Sequence, residues 1–371
     1  MSEVFNSEIQ TPSRSTLPRV SVVIPMFNAE KFLGACLESI LNQTFQNFEV
    51  IVVDDCSTDS SCAIVESYAE KFGGRLKLAR MEKNSGNGGP PRNKGLMISR
   101  GEYIFNMDAD DMLTPTALEE LYTLAKNFDA DVVHCESHYE MNEDGSNIYL
   151  KYNQREPVKA PALHSEDLAE RVKNLLTNDI WGTPWCSLVR RDLLTENEIF
   201  FQKVRPCYDH IWTLEILFFA KKFLRVPNAI YLYRITDVSV TRGKRTPQQQ
   251  MNLWINSAIL GLKGLDRSLC KINFFKNIPQ ARFDVLNYFT VKMILASFGY
   301  TLRLQPFEIY DGIKQEFGDA LGEQDVLVAA LCTCIMTLYK TNYMNVQKFN
   351  RFVEQAQKRI AQLEAELAEK T

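Results

Sequence analysis

Short apolar runs alternate with amphipathic stretches through the first 135 residues of the chain. Val20-Ser-Val-Val-Ile-Pro25 reads as a buried strand closed by proline. Asn28 is placed to cap a helix from Ala29 to about Leu41, with Phe32, Cys36, Leu37, Ile40 and Leu41 on its apolar face. Phe48 to Val53 forms a second strand running into the acids Asp54 and Asp55, and a helix starts between Ser57 and Ser60 and continues to about Phe72. Leu76 to Met81 is a third strand, Glu82 to Gly89 a polar loop, and Pro90 or Pro91 to Ser99 a short helix. The run Tyr103 to Met107, a helix from Pro115 to Phe128 and a strand from Asp131 to Cys135 complete the pattern. This alternation predicts an α/β fold, a mostly parallel sheet with helices on both faces. Ligands of such sheets bind beyond the carboxyl ends of the strands.

The pattern then loosens. Residues 139 to 160 read as a polar hairpin or insertion, Leu168 to Leu176 as a helix, and Trp181 to Val189 as a loop entering a strand. Asp209 stands at the start of an apolar helix that runs from Thr213 to Phe223, and Tyr231-Leu-Tyr-Arg234 ends a last strand. From about Gly243 strands give way to helical patterns. The expected organisation is a disordered arm (1–18), an α/β domain (19–240, with halves 19–130 and 131–240) and an all-helical C-terminal region (241–371). In its last helix, 345–370, Val346, Val353, Ile360 and Leu367 share one heptad position and Phe349, Ala356 and Leu363 another. That repeat suits a helix packed on its own domain or a homo-oligomeric coiled coil equally well.

The strand Tyr103 to Met107 ends in three carboxylates, Asp108, Asp110 and Asp111. A core cannot hold them without positive compensation. Thr114 as N-cap and Pro115 at the first helical position would explain one acid as turn or cap chemistry. Three crowded like charges point further, to a hard divalent cation such as Mg²⁺ or Mn²⁺ and a phosphate-bearing ligand. Asp209 has a capping alternative of its own, worth about 0.5–2 kcal/mol.

Composition removes other classes. The formal net charge is −4, so no basic field attracts nucleic acid. The nine cysteines are scattered, without a CxxC pair, against a zinc ribbon or a secreted disulfide framework and in favour of a reducing cytoplasm. Met1 to Pro18 lacks a signal-peptide core, and the longest apolar stretch, Val326 to Tyr339, is too short to span a bilayer. Gly86-Asn-Gly-Gly89 fits neither a dinucleotide fingerprint nor a P-loop.

Six segments in order, Val22-Val-Ile-Pro25-Met-Phe-Asn28, Ser39-Ile-Leu-Asn-Gln43-Thr44, Val52-Val-Asp54-Asp55-Cys-Ser-Thr-Asp59, Pro91-Arg92-Asn93-Lys-Gly95, Gly101-Glu-Tyr103-Ile and Asp108-Ala-Asp110-Asp111, resemble glycosyltransferase family 2. The resemblance covers residues 20 to about 130 closely and continues more weakly through Thr183-Pro-Trp185, Tyr208-Asp209 and Tyr231 to Arg234. It implies the GT-A fold and inverting transfer of a sugar from a nucleotide-sugar donor, typically a UDP-sugar, to a glycan or lipid-linked acceptor. It also implies a bacterial surface-polysaccharide setting at the cytoplasmic side of a membrane, with peripheral association. Carried onto this chain, Asp55 resembles the carboxylate that binds the base, Pro25 and Phe27 the base-pocket wall, and Arg92 the basic nucleotide contact. Asp108 to Asp110 resemble the DXD motif, with Asp110 the metal ligand and Asp108 near the ribose or the metal's water shell. Asp209 matches the catalytic base of a Glu-Asp pair, whose first position here is Tyr208. Gly89-Pro90-Pro91 also departs from the family's small residues. Trp181, Trp185 and His210 are candidates for stacking on or hydrogen-bonding the acceptor.

Two other readings compete. A sugar nucleotidylyltransferase would want a Gly-rich, basic loop after the first strand, which Pro25 to Asn28 is not. A non-catalytic scaffold would have no need of Asp108, Asp110 and Asp209.

Overall fold

Four apolar runs pair side by side as the alternation predicts. They are β1 (Val20–Met26), β2 (Phe48–Asp54), β3 (Leu76–Arg80) and β4 (Tyr103–Asn106), joined by α1 (Glu30–Leu41), α2 (Ser61–Ser67) and α3 (Gly89–Ile98). A two-residue β5 (Met112–Leu113), α4 (Ala117–Asn127) and the long β6 (Val132–Met141) follow. β7 (Tyr149–Tyr152), β8 (Ala162–Leu163), α5 (Leu168–Asn178), β9 (Ser187–Arg190), α6 (Arg191–Glu196), α7 (Tyr208–Phe219) and β10 (Phe223–Arg234) complete the sheet-bearing part. α8 (Pro247–Leu269), α9 (Asn273–Asn277) and α10 (Pro279–Thr301) come after it.

The computed structural model describes residues 17–153, 156–178, 180, 182–204, 207–236, 246–301 and, towards the C-terminus, 341–348, 350–351, 353–355 and 357–358. Residues 1–16 of the expected arm, Trp181, the stretch 326–339 and the heptad positions Phe349, Ala356, Ile360, Leu363 and Leu367 lie outside the described residues.

The sheet order is β3-β2-β1-β4-β9-β6-β10-β5, with β7 added to β6 and β8 to β10. β1, β2, β3, β4, β6 and β10 share one direction, and β9, inserted between β4 and β6, runs against them. Both faces are covered. Val20, Val22, Ile24 and Met26 of β1 join the main core with Leu33, Cys36, Leu37 and Ile40 of α1 and Leu118 and Leu121 of α4. Val23, on the other face, packs against α3, where a Cβ on Gly95 would collide with it. Strands buried on both faces need continuous apolar runs, which is why these were legible.

Local differences have local reasons. Asn28 does not cap α1: its φ is 48° and its Oδ1 accepts from the Thr58 amide at 2.8 Å. Ala29 takes the N-cap position instead. α2 is shorter than expected and gives way to turns that end at Gly73 and Gly74, both at positive φ. α4 begins after Thr116 rather than after Thr114. β10 carries two register shifts against β6 around Pro227 and Ala229, as expected where proline removes a ladder donor.

Gly101 sits in a backbone crossing. Its amide donates to Ser21 Oγ at 2.9 Å, and a Cβ there would lie 2.5 Å from the Ser21 nitrogen. Gly101→Ala should therefore destabilise the protein by about 1–3 kcal/mol, the usual cost of overpacking. Urea unfolding reads this directly, and an unchanged midpoint would contradict the packing described.

The chain groups into two units. One holds the sheet together with Lys263–Tyr288, and the other comprises Lys244–Leu262 and Phe289–Thr371. In the second unit almost every described residue is helical. Among the described residues no helix is long and apolar enough to cross a membrane.

Candidate active site

The parallel strands end together. Met26 of β1 lies opposite Asp54 of β2, and the Met107 amide donates to Val23 of β1 at 3.0 Å. The residues after β1, β2 and β4 therefore emerge on one edge, as the polar and acidic strand ends predict. Phe27 is 52% exposed there. Asp55 is buried, and its carboxylate accepts from the Ser85 amide at 2.9 Å and the Ser85 hydroxyl at 2.9 Å. Asn84 Nδ2 donates to the Asp55 carbonyl at 2.8 Å, so the loop 82–88 folds back over the end of β2.

The three acids after β4 separate into three environments. Asp111 is buried and hydrogen-bonded: the Tyr231 hydroxyl donates to Oδ2 at 2.7 Å and the Arg234 amide to Oδ1 at 2.7 Å. It belongs to the turn. Asp108 is half-buried and ion-paired with Arg92. No other side chain among the described residues hydrogen-bonds the Asp110 carboxylate. Burial, then the charge of Asp108, push it up to about 6, against the weaker pull of Arg234 and Arg92. A desolvated carboxylate beside a like charge is the donor type that a hard cation relieves. No group of three or more His, Cys, Asp or Glu side chains converges into a metal cage among the described residues. A hard cation held here would find the oxygens of Asp110 and Asp108 and would need others from a diphosphate or water.

Arg92 is the buried cation of the site, 3% exposed on α3. Besides Asp108 it reaches the Tyr208 hydroxyl, Nη1 donating at 3.3 Å, and its guanidinium lies 5.5 Å from the Phe201 ring centroid. Its Nε has no partner among the described residues. Asn93, the next residue, explains how α7 comes close. Its Nδ2 donates to the Phe201 carbonyl at 2.8 Å and its Oδ1 accepts from the Phe201 amide at 2.8 Å. That reciprocal pair fixes the segment leading into α7. At the far end of α7, buried Arg171 donates to the Leu217 and Ala220 carbonyls, both at 2.6 Å, and so caps the helix with charge.

Asp209 is the second residue of α7, and Cys207 holds the N-cap position, so the capping alternative fails. Asp209 Oδ1 is shut from solvent without a hydrogen-bond partner. Burial pushes the carboxyl up to about 8; Arg92 lowers it and Asp108 raises it further. Tyr208, Arg92, Asp108 and Asp209 thus form one electrostatic group, drawn from α3, the end of β4 and α7. Asp209 lies within the field of Asp108 and Arg92.

The shifted carboxyl has a stability consequence. Asp209 ionises near 3.8 when unfolded and near 8 when folded. The stability that its neutral burial contributes is fully present below pH 3.8 and is lost as pH rises to about 8. Asp209→Asn should therefore melt above the wild type at pH 8, with the gap closing towards pH 4. A variant less stable than wild type at pH 8 would contradict the burial.

Two acceptor candidates fare differently. The Trp185 ring is 4% exposed and stacks on Tyr231 at 4.4 Å, with His138 edge-on at 4.9 Å. Its sugar-stacking assignment is corrected: the ring is committed to the core beneath the site. His210 is half-buried against Gly182, where any Cβ would strike its ring. His134 is buried in β6 and held neutral, its imidazole pushed down to about 3 by burial and then by Arg225.

Sequence reasoning missed Tyr231, Arg234 and Phe201 as builders of this region. Tyr231 and Arg234 lie 120 or more residues from the acids they hold. The signals were their place at the carboxyl end of a strand and the weak resemblance that runs through Tyr231 to Arg234.

The sheet thus gathers acids, a buried arginine and an unpaired aspartate at its carboxyl edge, where α/β sheets bind ligands. The family model described as glycosyl transferase family 2 matches residues 21–196. A glycosyltransferase, GlyG, of Streptococcus pneumoniae is 30% identical over 69% of this chain and 85% of its own length. The chain belongs to glycosyltransferase family 2. The poly(ribitol-phosphate) β-N-acetylglucosaminyltransferase TarS of Staphylococcus aureus is 28% identical over 58% of this chain, which spans only 35% of that relative. A crystal structure of TarS residues 1–349 with UDP-GlcNAc superimposes with a TM-score of 0.61 at 20% identity, covering 89% of this chain and 92% of that one. The fold is thus GT-A.

Proposed function

We propose that the protein transfers a sugar, with inversion and with help from a divalent cation, from a UDP-sugar to a hydroxyl of a glycan or lipid-linked acceptor. The observation that carries this reading is the convergence of Asp209, uncapped and unpaired at Oδ1, with Arg92 and Asp108 at the carboxyl edge of the sheet. Asp209 is the general base. Its oxygen has no structural task, and a base needs a free lone pair for the acceptor hydroxyl. Residues 19–130 act as the donor half and 131–240 as the acceptor half.

On the donor side, Phe27 and Pro25 wall the base and Asp55 accepts from it. Ser85 engages both Asp55 oxygens, but a carboxylate has about four lone-pair sites and keeps capacity for a base N–H. Arg92 faces the diphosphate and spends its charge on Asp108 and Tyr208 until the donor arrives. Asp110 is the principal cation ligand and Asp108, shared with Arg92, the lesser one. When bound, Mn²⁺ or Mg²⁺ would stabilise the charge accumulating on the departing nucleoside diphosphate. His210 is an acceptor contact. The TarS structure bound to UDP-GlcNAc supports a UDP-sugar here, and the polymer in that enzyme's name supports a bacterial glycan or polyol-phosphate acceptor.

Thermal shift with a panel of nucleotide sugars tests the donor. One UDP-sugar should raise the melting temperature in the presence of Mn²⁺, by an amount that grows with ligand concentration over Kd. Equal stabilisation by GDP- and ADP-sugars would contradict the uracil assignment. The pH profile tests the base: kcat/KM should rise through about 8, the Asp209 value in the free enzyme, and level above it.

A further inference from the structure

The acidic turn 108–111 is built from outside itself. The Tyr231 hydroxyl accepts from the Asp108 amide at 3.0 Å and donates to Asp111 Oδ2 at 2.7 Å. The Arg234 amide donates to Asp111 Oδ1 at 2.7 Å, and the Arg234 side chain donates through Nε to the Asp110 carbonyl at 2.8 Å. Arg234 Nη1 continues to the Glu143 carbonyl at 2.6 Å, in the β6–β7 connection, and its guanidinium lies 4.9 Å from the Phe32 ring centroid. The last four residues of β10 therefore grip each of the three acids by a different atom: the amide of Asp108, the carbonyl of Asp110 and the carboxylate of Asp111.

We infer that Tyr231 and Arg234 are positioning residues that hold Asp108 and Asp110 in the shape that receives the cation and diphosphate. The inference rests on the proposed function of those acids. Three features support a dedicated device over ordinary core packing. The Tyr231 ring already packs against Trp185 at 4.4 Å, so its hydroxyl is not needed to fill space. Both bonds of that hydroxyl go to the acidic turn. Arg234 is 6% exposed, yet the hydrogen bonds of its guanidinium nitrogens end on backbone carbonyls and a thioether rather than on a carboxylate. A buried arginine spent on carbonyls is shaping a loop. Asp111 is the internal counterpart: buried, with each carboxylate oxygen bonded by β10, it anchors the turn whose neighbours face the ligand. Residues that orient metal-binding groups typically change metal affinity about 10–100-fold when altered.

The test compares Tyr231→Phe and Arg234→Lys with Tyr103→Phe in the full chain. Tyr103 is a matched control, because its buried hydroxyl donates to the Ala130 carbonyl at 3.0 Å, in a bond that involves none of the three acids. Two readouts are used: Mn²⁺ affinity in the presence of UDP by electron paramagnetic resonance, and amide hydrogen exchange across 107–113 without metal. Tyr231→Phe should weaken Mn²⁺ about tenfold or more and speed exchange at Asp108. Arg234→Lys should weaken Mn²⁺ too, since an ammonium cannot reproduce the planar fork. Tyr103→Phe should alter neither. Wild-type Mn²⁺ affinity in Tyr231→Phe, or equal weakening in Tyr103→Phe, would overturn the inference and leave the metal assignment standing. Failure of the wild type itself to bind Mn²⁺ with UDP would overturn the metal assignment and this inference with it.

Discussion

Asp209→Asn should lower the rate of sugar transfer about 10²–10⁴-fold, the usual worth of general-base help, with donor affinity nearly unchanged. The side chain keeps its shape and loses only its ability to take a proton. Asp55, Phe27 and Arg92, the residues proposed to contact the base and diphosphate, are left in place. Because the carboxyl sits near 8 in the free protein, the variant should also lose the rise of kcat/KM through that pH. Calorimetry of donor binding beside single-turnover transfer separates the possibilities. A loss of donor affinity as large as the loss of rate would make Asp209 a structural residue of the nucleotide site.

The second large effect belongs to Asp110. Asp110→Ala should abolish metal-dependent donor turnover, because a cation on the departing diphosphate supplies several kcal/mol of transition-state stabilisation, at least about a thousandfold in rate. The protein should remain folded. Among the described residues the Asp110 carboxylate accepts only from its own backbone amide, and removing a desolvated charge beside Asp108 relieves repulsion. Full activity in Asp110→Ala would move the cation elsewhere or remove it from the reaction. Asp111→Ala is the contrasting case: it strips partners from Tyr231 and from the Arg234 amide, and should cost stability first.

Some of this was legible in residue order and some was not. β1, β2 and β4 are continuous apolar runs because helices cover both faces, and such runs announce themselves. β5 and β8 did not, since two-residue strands leave little periodic trace, whereas β7 pairs antiparallel with the end of β6 in the stretch that read as a polar hairpin. The acids at Asp108 to Asp111 were legible as a cluster with one acid serving the turn, and the structure makes that one Asp111; the contacts that decide it were not legible. Which acid pairs with Arg92, which is bonded by Tyr231 and which stands without a side-chain partner depends on contacts between distant segments. Trp185 shows the same limit: beside a proline it suited stacking on a sugar, but the strand that buries it lies some 45 residues on. Asp209 is the reverse case. Its position at a helix start argued for a cap, and the unpaired oxygen argues for chemistry.

Inverting transfer with Asp209 as base is read out at the anomeric carbon of the sugar. Turnover of a UDP-α-sugar with Mn²⁺, water standing in for the acceptor hydroxyl, can be watched by proton NMR, reading the first-formed free sugar before it mutarotates. The expected result is a β product whose formation needs the cation and disappears in Asp209→Asn. A first-formed α product, or a β product undiminished in Asp209→Asn, would contradict it.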